Sequence, residues 1–256
     1  MLKTFLNQTK SFLGGLIKPI RYRRLLYNKS ILNYYKNLYK FTSKKFIPHS
    51  TYNSINRVDI INAFVENKPG SEKSHIKYLE IGCDDNKCFD NVNLPLIQKI
   101  GVDPNKGGTH RMTSDIFFES CKEKFDIIFI DGLHIYAQVQ RDIINSLYFL
   151  KNDGKIIIHD MIPKKWEMEC VPRIYKSWNG DVWKIGVELA NSTGINLRIF
   201  DCDHGVGIVE KSSSDYKYYT MNKILLNQNF KDFLKHLTIL PLFQPTSFHN
   251  LYFKSS

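Results

Sequence analysis

The sequence predicts an α/β fold built on parallel strands, and three observations predict it. Residues 125–160, FDIIFIDGLHIYAQVQRDIINSLYFLKNDGKIIIHD, set an apolar run, a stretch of helical period and a second apolar run end to end. That is the pattern of a buried strand, a crossover helix and a parallel partner, joined right-handedly. Two more short apolar runs, Ile76 to Ile81 and Lys99 to Val102, stand upstream, each followed by polar turn residues. A chain of 256 residues with 43% hydrophobic content can also bury one sizeable core.

The net charge of +11 belongs to one end of the chain. Residues 1–58 hold twelve of the 36 Lys and Arg, and the first acidic residue is Asp59; what remains is 24 basic against 25 acidic residues. This leading segment mixes Phe5, Phe12, Leu13, Leu16, Ile17 and Ile20 with lysines and arginines, then runs tyrosine-rich from Tyr22 to Tyr39. No apolar stretch in it approaches the roughly 20 residues that a membrane-spanning helix needs. Nor does Phe12 to Ile17 lead into a convincing cleavage site for a signal peptide. Three readings stay open: basic amphipathic helices on an anionic lipid surface through residues 1–48, contact with an acidic glycan or nucleic acid, or helices packed on the domain with solvated lysines. Cys83, Cys88, Cys121, Cys170 and Cys202 are odd in number and lack paired metal spacing. They suggest neither a disulfide scaffold nor a zinc ribbon, and a reducing, cytoplasmic setting fits, with peripheral membrane contact left open.

The elements follow in order. Ser54 to Glu66 carries Ile55, Val58, Ile61 and Phe64 or Val65 at helical spacing and stops at Pro69-Gly70-Ser71. Ile76 to Gly82 is a first strand with Asp84-Asp85-Asn86 in its turn, and Lys99 to Asp103 is a second. Met112-Thr113-Ser114-Asp115 is expected as the end of a third. In the crossover helix Ile135, Val139, Ile143, Leu147 and Leu150 form one stripe, while Gln138, Gln140, Arg141 and Asp142 face elsewhere. Asn152-Asp153-Gly154 should stop that helix before the strand Lys155 to Ile158. A loop rich in Pro and Trp follows from Met161, and another helix begins in Gly180 to Ile185 and ends near Ser192 to Gly194. After Ser212-Ser213-Ser214, helical segments are expected at about Tyr216–Leu226 and Phe230–Leu240, before a tail with Pro241 and Pro245. There is no internal repeat.

This topology sends the polar strand ends Asp131, His134, His159 and Asp160 to one edge, where open α/β sheets bind ligands. Gly82 lets backbone approach a ligand closely. Asp103, 23 residues beyond Glu80, stands at the tip of the second strand, where a carboxylate can accept from two vicinal ribose hydroxyls. Asp115 is placed for an adenine amino group. The bland rivals are plain: Asp131 as a cap for the helix starting near Ile135, the histidines as structural hydrogen-bonding residues, and Asp181, Asp201 and Asp203 as turn residues.

The succession YLEIG…IGVDP…TSD…FDIIFIDGLHIYAQVQRD…LKNDGKIIIHD resembles class I S-adenosylmethionine-dependent methyltransferases. More narrowly it is similar to the branch of sugar and glycan O-methyltransferases that act on macrolide sugars and rhamnosyl glycans, over about Ile76 to Lys211. DCDHGVGIV at 201–209 resembles the closing hairpin of that fold. Asn86 stands where a second glycine is usual, and Asn tolerates left-handed backbone best among other residues. The resemblance implies a Rossmann-like doubly wound sheet, mostly parallel with an antiparallel closing hairpin. It divides the chain into a basic helical extension at 1–58, a methyltransferase domain at 59–211 and a C-terminal helical extension at 212–256. It implies S-adenosylmethionine held by Glu80, Gly82, Asp103, Asp115 and Asp131, and a divalent cation, Mg or Mn, on Asp131 and Asp160. His134 would be the general base beside Asp131, and a sugar or glycan hydroxyl the acceptor. Two alternatives remain at this stage: a nucleic-acid methyltransferase with a basic arm, which the near-neutral body disfavours, and a catalytically inactive cofactor-fold module that binds a partner.

Overall fold

The computed structural model describes Asn37 and residues 55–253, so what residues 1–48 contact lies outside the described residues. The chain enters on helix α1, Arg57–Glu66, which starts at Asn56: its side chain accepts from Val58 N and Asp59 N, and Asp59 returns the bond to the Asn56 backbone. Its inner face buries Ile60, Ile61, Phe64 and Val65. Strands β1 (Tyr78–Ile81) and β2 (Lys99–Val102) follow, separated by the short helix α2 (Lys87–Asn91). Helix α3 (Ser114–Ser120) leads to β3 (Phe125–Ile130), and helix α4 (Tyr136–Phe149) to β4 (Leu150–Ile158). Helix α5 (Trp183–Ala190) precedes the hairpin of β5 (Ile195–Phe200) and β6 (Val206–Lys211). Helix α6 (Phe230–His236), the two-residue strand β7 (Leu242–Phe243) and helix α7 (Phe248–Tyr252) complete the described residues.

Among these residues one sheet of seven strands runs in the order β2-β1-β3-β4-β6-β5-β7. β1 to β4 pair in parallel and only β6 runs against its neighbours. The expected Rossmann-like sheet with an antiparallel closing hairpin is therefore present. Its strands are apolar on both sides because both faces are covered. Leu79, Ile128, Ile130, Ile156 and Ile158 pack with α3, α4, α5 and α6, whereas Tyr78, Ile127, Phe129 and Ile157 pack with α1, α2 and α7.

Three local expectations change. Met112 to Asp115 does not end a strand: Thr113 caps α3 through a bond from Ile116 N, and the expected third strand is reduced to one bridge between Val102 and His110. Thr-Ser-Asp is a helix-start signal, and here it prevails over pairing. Gly154 does not stop the crossover helix. α4 ends at Phe149, and Gly154 lies inside β4, where the pairing with β3 slips and a Cβ would sit 2.9 Å from the Asp126 carbonyl oxygen. Gln140 and Asp142 face away from the apolar stripe, as expected. Both are buried, Gln140 against Glu188 and Asp142 against Ser114, because α4 is flanked by α5 and α3 as well as by the sheet. The two long helical segments expected after Ser214 shrink to Asn222–Leu225 and α6, and Lys217 instead bridges Thr193. The segment drawn as an extension at 212–256 feeds the fold directly. β7 extends the sheet beside β5, and Phe248 packs edge-on against Phe64 and Phe200 at 5.7 and 5.4 Å.

Candidate active site

β1, β2, β3 and β4 all point the same way, so the turns after Ile81, Val102, Ile130 and Ile158 lie on one edge. Gly82 draws two of them together. Its φ is +90°, and a Cβ there would stand 2.3 Å from the Asp131 carbonyl oxygen, so only glycine lets the end of β1 meet the end of β3. Asn86 takes the left-handed conformation expected of it, φ 64°, and its Oδ1 accepts from Gly108 N at 2.7 Å. Asp103 closes the same pair of loops. Its Oδ2 accepts from Asp84 N at 3.0 Å and its Oδ1 from Asn105 N and Lys106 N at 2.7 and 3.0 Å. A carboxylate oxygen offers two acceptor sites, so Oδ2 keeps one free.

Glu80 and Asp115 face elsewhere. The Tyr78 hydroxyl donates to buried Glu80 at 2.6 Å, and burial pushes this carboxyl up to about 7 against the opposing effect of that bond. Asp115, in the first turn of α3, pairs with Arg141 at 3.1 Å. Neither makes a hydrogen bond to the other candidate residues.

Asp131, His134, His159 and Asp160 do meet. His134 Nε2 lies 3.2 Å from Asp131 Oδ1, and His134 Nδ1 lies 3.1 Å from Asp160 Oδ2 and 2.8 Å from the Trp178 carbonyl oxygen. His159 Nδ1 is 3.1 Å from both Asp131 Oδ1 and Asp160 Oδ2. Asp131 does not cap α4: Asp181 does, accepting from Tyr136 N at 2.6 Å. A carbonyl can only accept, so His134 Nδ1 carries a proton, and Nε2, which faces Asp131 Oδ1, is the atom left to gain or lose one. The ring stacks on Trp178 at 5.3 Å, and Gly180 packs on the His134 backbone, where a Cβ would lie 1.7 Å from the His134 carbonyl oxygen. Asn179, fully buried between them, donates to the Asp160 and His204 carbonyl oxygens and ties this loop to the hairpin turn.

Burial alone would lower the His134 and His159 pKa values, but the Asp160 and Asp131 carboxylates outweigh it and both are raised, His159 strongly. Asp131 is the mirror case. Burial opposes its charge, yet His159 and His134 hold its carboxyl well below the usual range.

Two further residues join the site, Arg57, to which the sequence gives no role, and Asp203, which it places near this edge as a turn or acceptor-shaping residue. Arg57, the first residue of α1, places Nη1 2.5 Å from Asp131 Oδ2 and Nε 2.8 Å from Asp203 Oδ2. Asp203, expected as a turn residue, also lies 3.5 Å from His159 Nε2. Asp160, Asp203 and His204 all adopt left-handed backbone, φ 63°, 42° and 67°, which side chains other than glycine rarely accept. Such strain gathers at functional sites. A signal for Asp203 exists in DCDHG, which joins a strand end to a glycine turn. Arg57 offers none, since 146 residues separate it from Asp203.

In the Pro- and Trp-rich loop after Met161, Trp166 belongs to the core, as does the later Trp183, and Trp178 stands at the site. A cavity of about 490 Å³, lined by Phe64, Asp126, Lys155, Arg198 and Tyr252 among others, opens at the opposite edge of the sheet and takes no part in this chemistry.

Asp131, His134 and Asp160 each offer one ligand atom within 4.8 Å of the others. Carboxylate oxygens and an imidazole suit a hard divalent ion, and two acceptors facing each other at 3.2 Å need a proton or a cation between them. The donor set therefore fits a divalent cation.

No curated protein matches the chain in sequence. Solved structures resemble it at low identity. The SAH-bound methyltransferase PaMTH1 of Podospora anserina is 13% identical, covers 73% of this chain and 97% of its own, and has a TM-score of 0.42. An O-methyltransferase from Bacillus cereus in complex with SAH is 12% identical, with 68% and 96% covered and a TM-score of 0.40. MycE, a methyltransferase from the mycinamycin biosynthetic pathway in complex with Mg, SAH and mycinamycin VI, is 14% identical; the match covers 70% of this chain and 54% of MycE, with a TM-score of 0.40. Residues 79–161, from β1 through β4 to Met161, match a family model described as a methyltransferase domain. Gly82, Asp103, Asp131, His134 and Asp160 all lie within the segment that matches this methyltransferase-domain model.

Proposed function

We propose that the protein transfers a methyl group from S-adenosylmethionine to a hydroxyl of a sugar or glycan, with His134 as general base and a divalent cation on Asp131 and Asp160. The observation that carries this is the meeting of those three side chains at the ends of parallel strands, within the segment that matches a methyltransferase-domain model.

S-adenosylmethionine supplies an electrophilic methyl on a sulfonium. The chain has to bind the cofactor, aim a hydroxyl oxygen at that methyl and take up the proton. The free acceptor site on Asp103 Oδ2 suits a ribose hydroxyl, and the turn at Gly82 gives backbone access beside it. His134 Nε2 takes the hydroxyl proton, and Asp131 and Asp160 stabilise the imidazolium that results, as their effect on its pKa implies. Bound to Asp131 and Asp160, a divalent cation would lower the pKa of a ligated hydroxyl and orient it. Trp178, beside His134, offers an aromatic face of the kind that stacks on sugar rings.

Methyl transfer from labelled cofactor to a panel of glycans, nucleic acids and small metabolites, with and without chelator, tests this. The expected result is label on a glycan or sugar, lost in chelator and restored by magnesium or manganese. Label on nucleic acid alone would replace the acceptor, and full transfer in chelator would remove the cation while leaving His134 in place. Cofactor binding with no transfer to any acceptor would favour the inactive binding module.

A further inference from the structure

Arg57 stands where α1 meets the catalytic edge, and it holds two carboxylates at once. Nη1 is 2.5 Å from Asp131 Oδ2, while Asp203 receives Nε at 2.8 Å, Nη2 at 3.3 Å and the Arg57 backbone N at 3.1 Å. Asp203 alone can keep Arg57 in place, so the single bond to Asp131 can break without unseating α1. Nη1 also lies 3.2 Å from His159 Nδ1. Asp131, Asp160 and Asp203 bring three carboxylates to this pocket, and Arg57 ion-pairs with two of them. A divalent ion on Asp131 would share that carboxylate with a guanidinium and be repelled by it.

We propose that Arg57 is the resident counter-charge of Asp131 and competes with the divalent cation for it. Occupancy of the catalytic edge is then coupled to a residue at the start of α1. The inference rests on the cation assignment made above for Asp131 and Asp160. Arg57 acts here as a positioning residue, since it touches the carboxylate and not the reacting atoms. Lys in its place keeps the charge but loses the planar fork that bridges two carboxylates.

Manganese titration of the full chain, followed by electron paramagnetic resonance, tests the competition without turnover. Arg57→Ala should bind Mn²⁺ about tenfold more tightly than wild type, the effect of removing one charge-assisted bond to Asp131. Arg57→Lys should fall between the two, and it carries the test if the alanine variant fails to fold. In wild type, saturating Mn²⁺ should speed hydrogen exchange at the Arg57 end of α1. Equal affinity in all three proteins, or weaker binding in Arg57→Ala, would overturn the competition while leaving the cation site standing. No Mn²⁺ binding in any of the three would overturn the cation site and the competition with it.

Discussion

At the scale of single residues, what each carboxylate already holds decides what it can still bind. Asp103 receives three backbone N–H groups and is 7% exposed, so it shapes the two loops around the cofactor position as well as offering an acceptor. Asp103→Ala should therefore weaken S-adenosylmethionine binding at least about tenfold, since a charge-assisted bond contributes about 1.5–3 kcal/mol. Calorimetry of the folded variant measures it, and unchanged affinity would remove Asp103 from the cofactor site. Asp131, His134, His159 and Asp160 were legible in the sequence because each closes or follows an apolar run, and strand direction alone sends them to one edge. Arg57 was not legible, because nothing local distinguishes it from the eleven basic residues before it. Its role is set by a partner on the far side of the fold. The alternation of a strand puts Glu80 on the same face as Tyr78, two residues away, whose hydroxyl donates to it.

At the scale of elements, the parallel strands and crossover helix were read correctly because both faces of the sheet are covered, which writes unbroken apolar runs into the sequence. The ends of elements were read less well, as Gly154 and Thr113 illustrate. A glycine inside β4 answers to the close Asp126 carbonyl and not to a helix terminus. The loop between β4 and α5 carries a buried acid whose cost is testable. Burial pushes the Glu169 carboxyl up to about 8, with Asp181 adding to it, while Lys184 and a bond from Trp183 Nε1 at 3.3 Å oppose it. A group whose folded pKa is raised stabilises the fold most below its unfolded value, and that contribution is lost as pH rises through the folded value. Wild-type stability relative to Glu169→Gln should thus fall between about pH 4.5 and pH 8, because Gln stays neutral and can still accept from Trp183. Denaturant melts of both proteins at several pH values check this. A stability difference independent of pH would mean that Glu169 does not titrate in that window.

At the scale of the whole molecule, the chain divides its charge. Residues 1–58 carry twelve basic residues and no acid, whereas the rest is nearly balanced. No helix among the described residues is long and apolar enough to cross a membrane. Removing residues 1–48 should then reduce binding to anionic vesicles or acidic glycans more than it reduces cofactor affinity. The wild-type attraction should weaken as added salt shortens the Debye length. Vesicle co-sedimentation at two salt concentrations measures both effects. Insoluble protein after truncation would show instead that the segment packs as part of the core.

The central claim is that the edge built from β1 to β4 performs methyl transfer with His134 as its base. The most direct test is the rate of label transfer by His134→Ala, measured beside its affinity for the cofactor. The ring meets Asp131, Asp160 and the Trp178 carbonyl and makes no bond to the loops around Asp103 and Gly82. Cofactor affinity should therefore stay near wild type while turnover falls roughly 10²–10⁴-fold, the usual contribution of a positioned base. Full turnover in His134→Ala would contradict the account, and the proton would then have to leave by another group on the same edge.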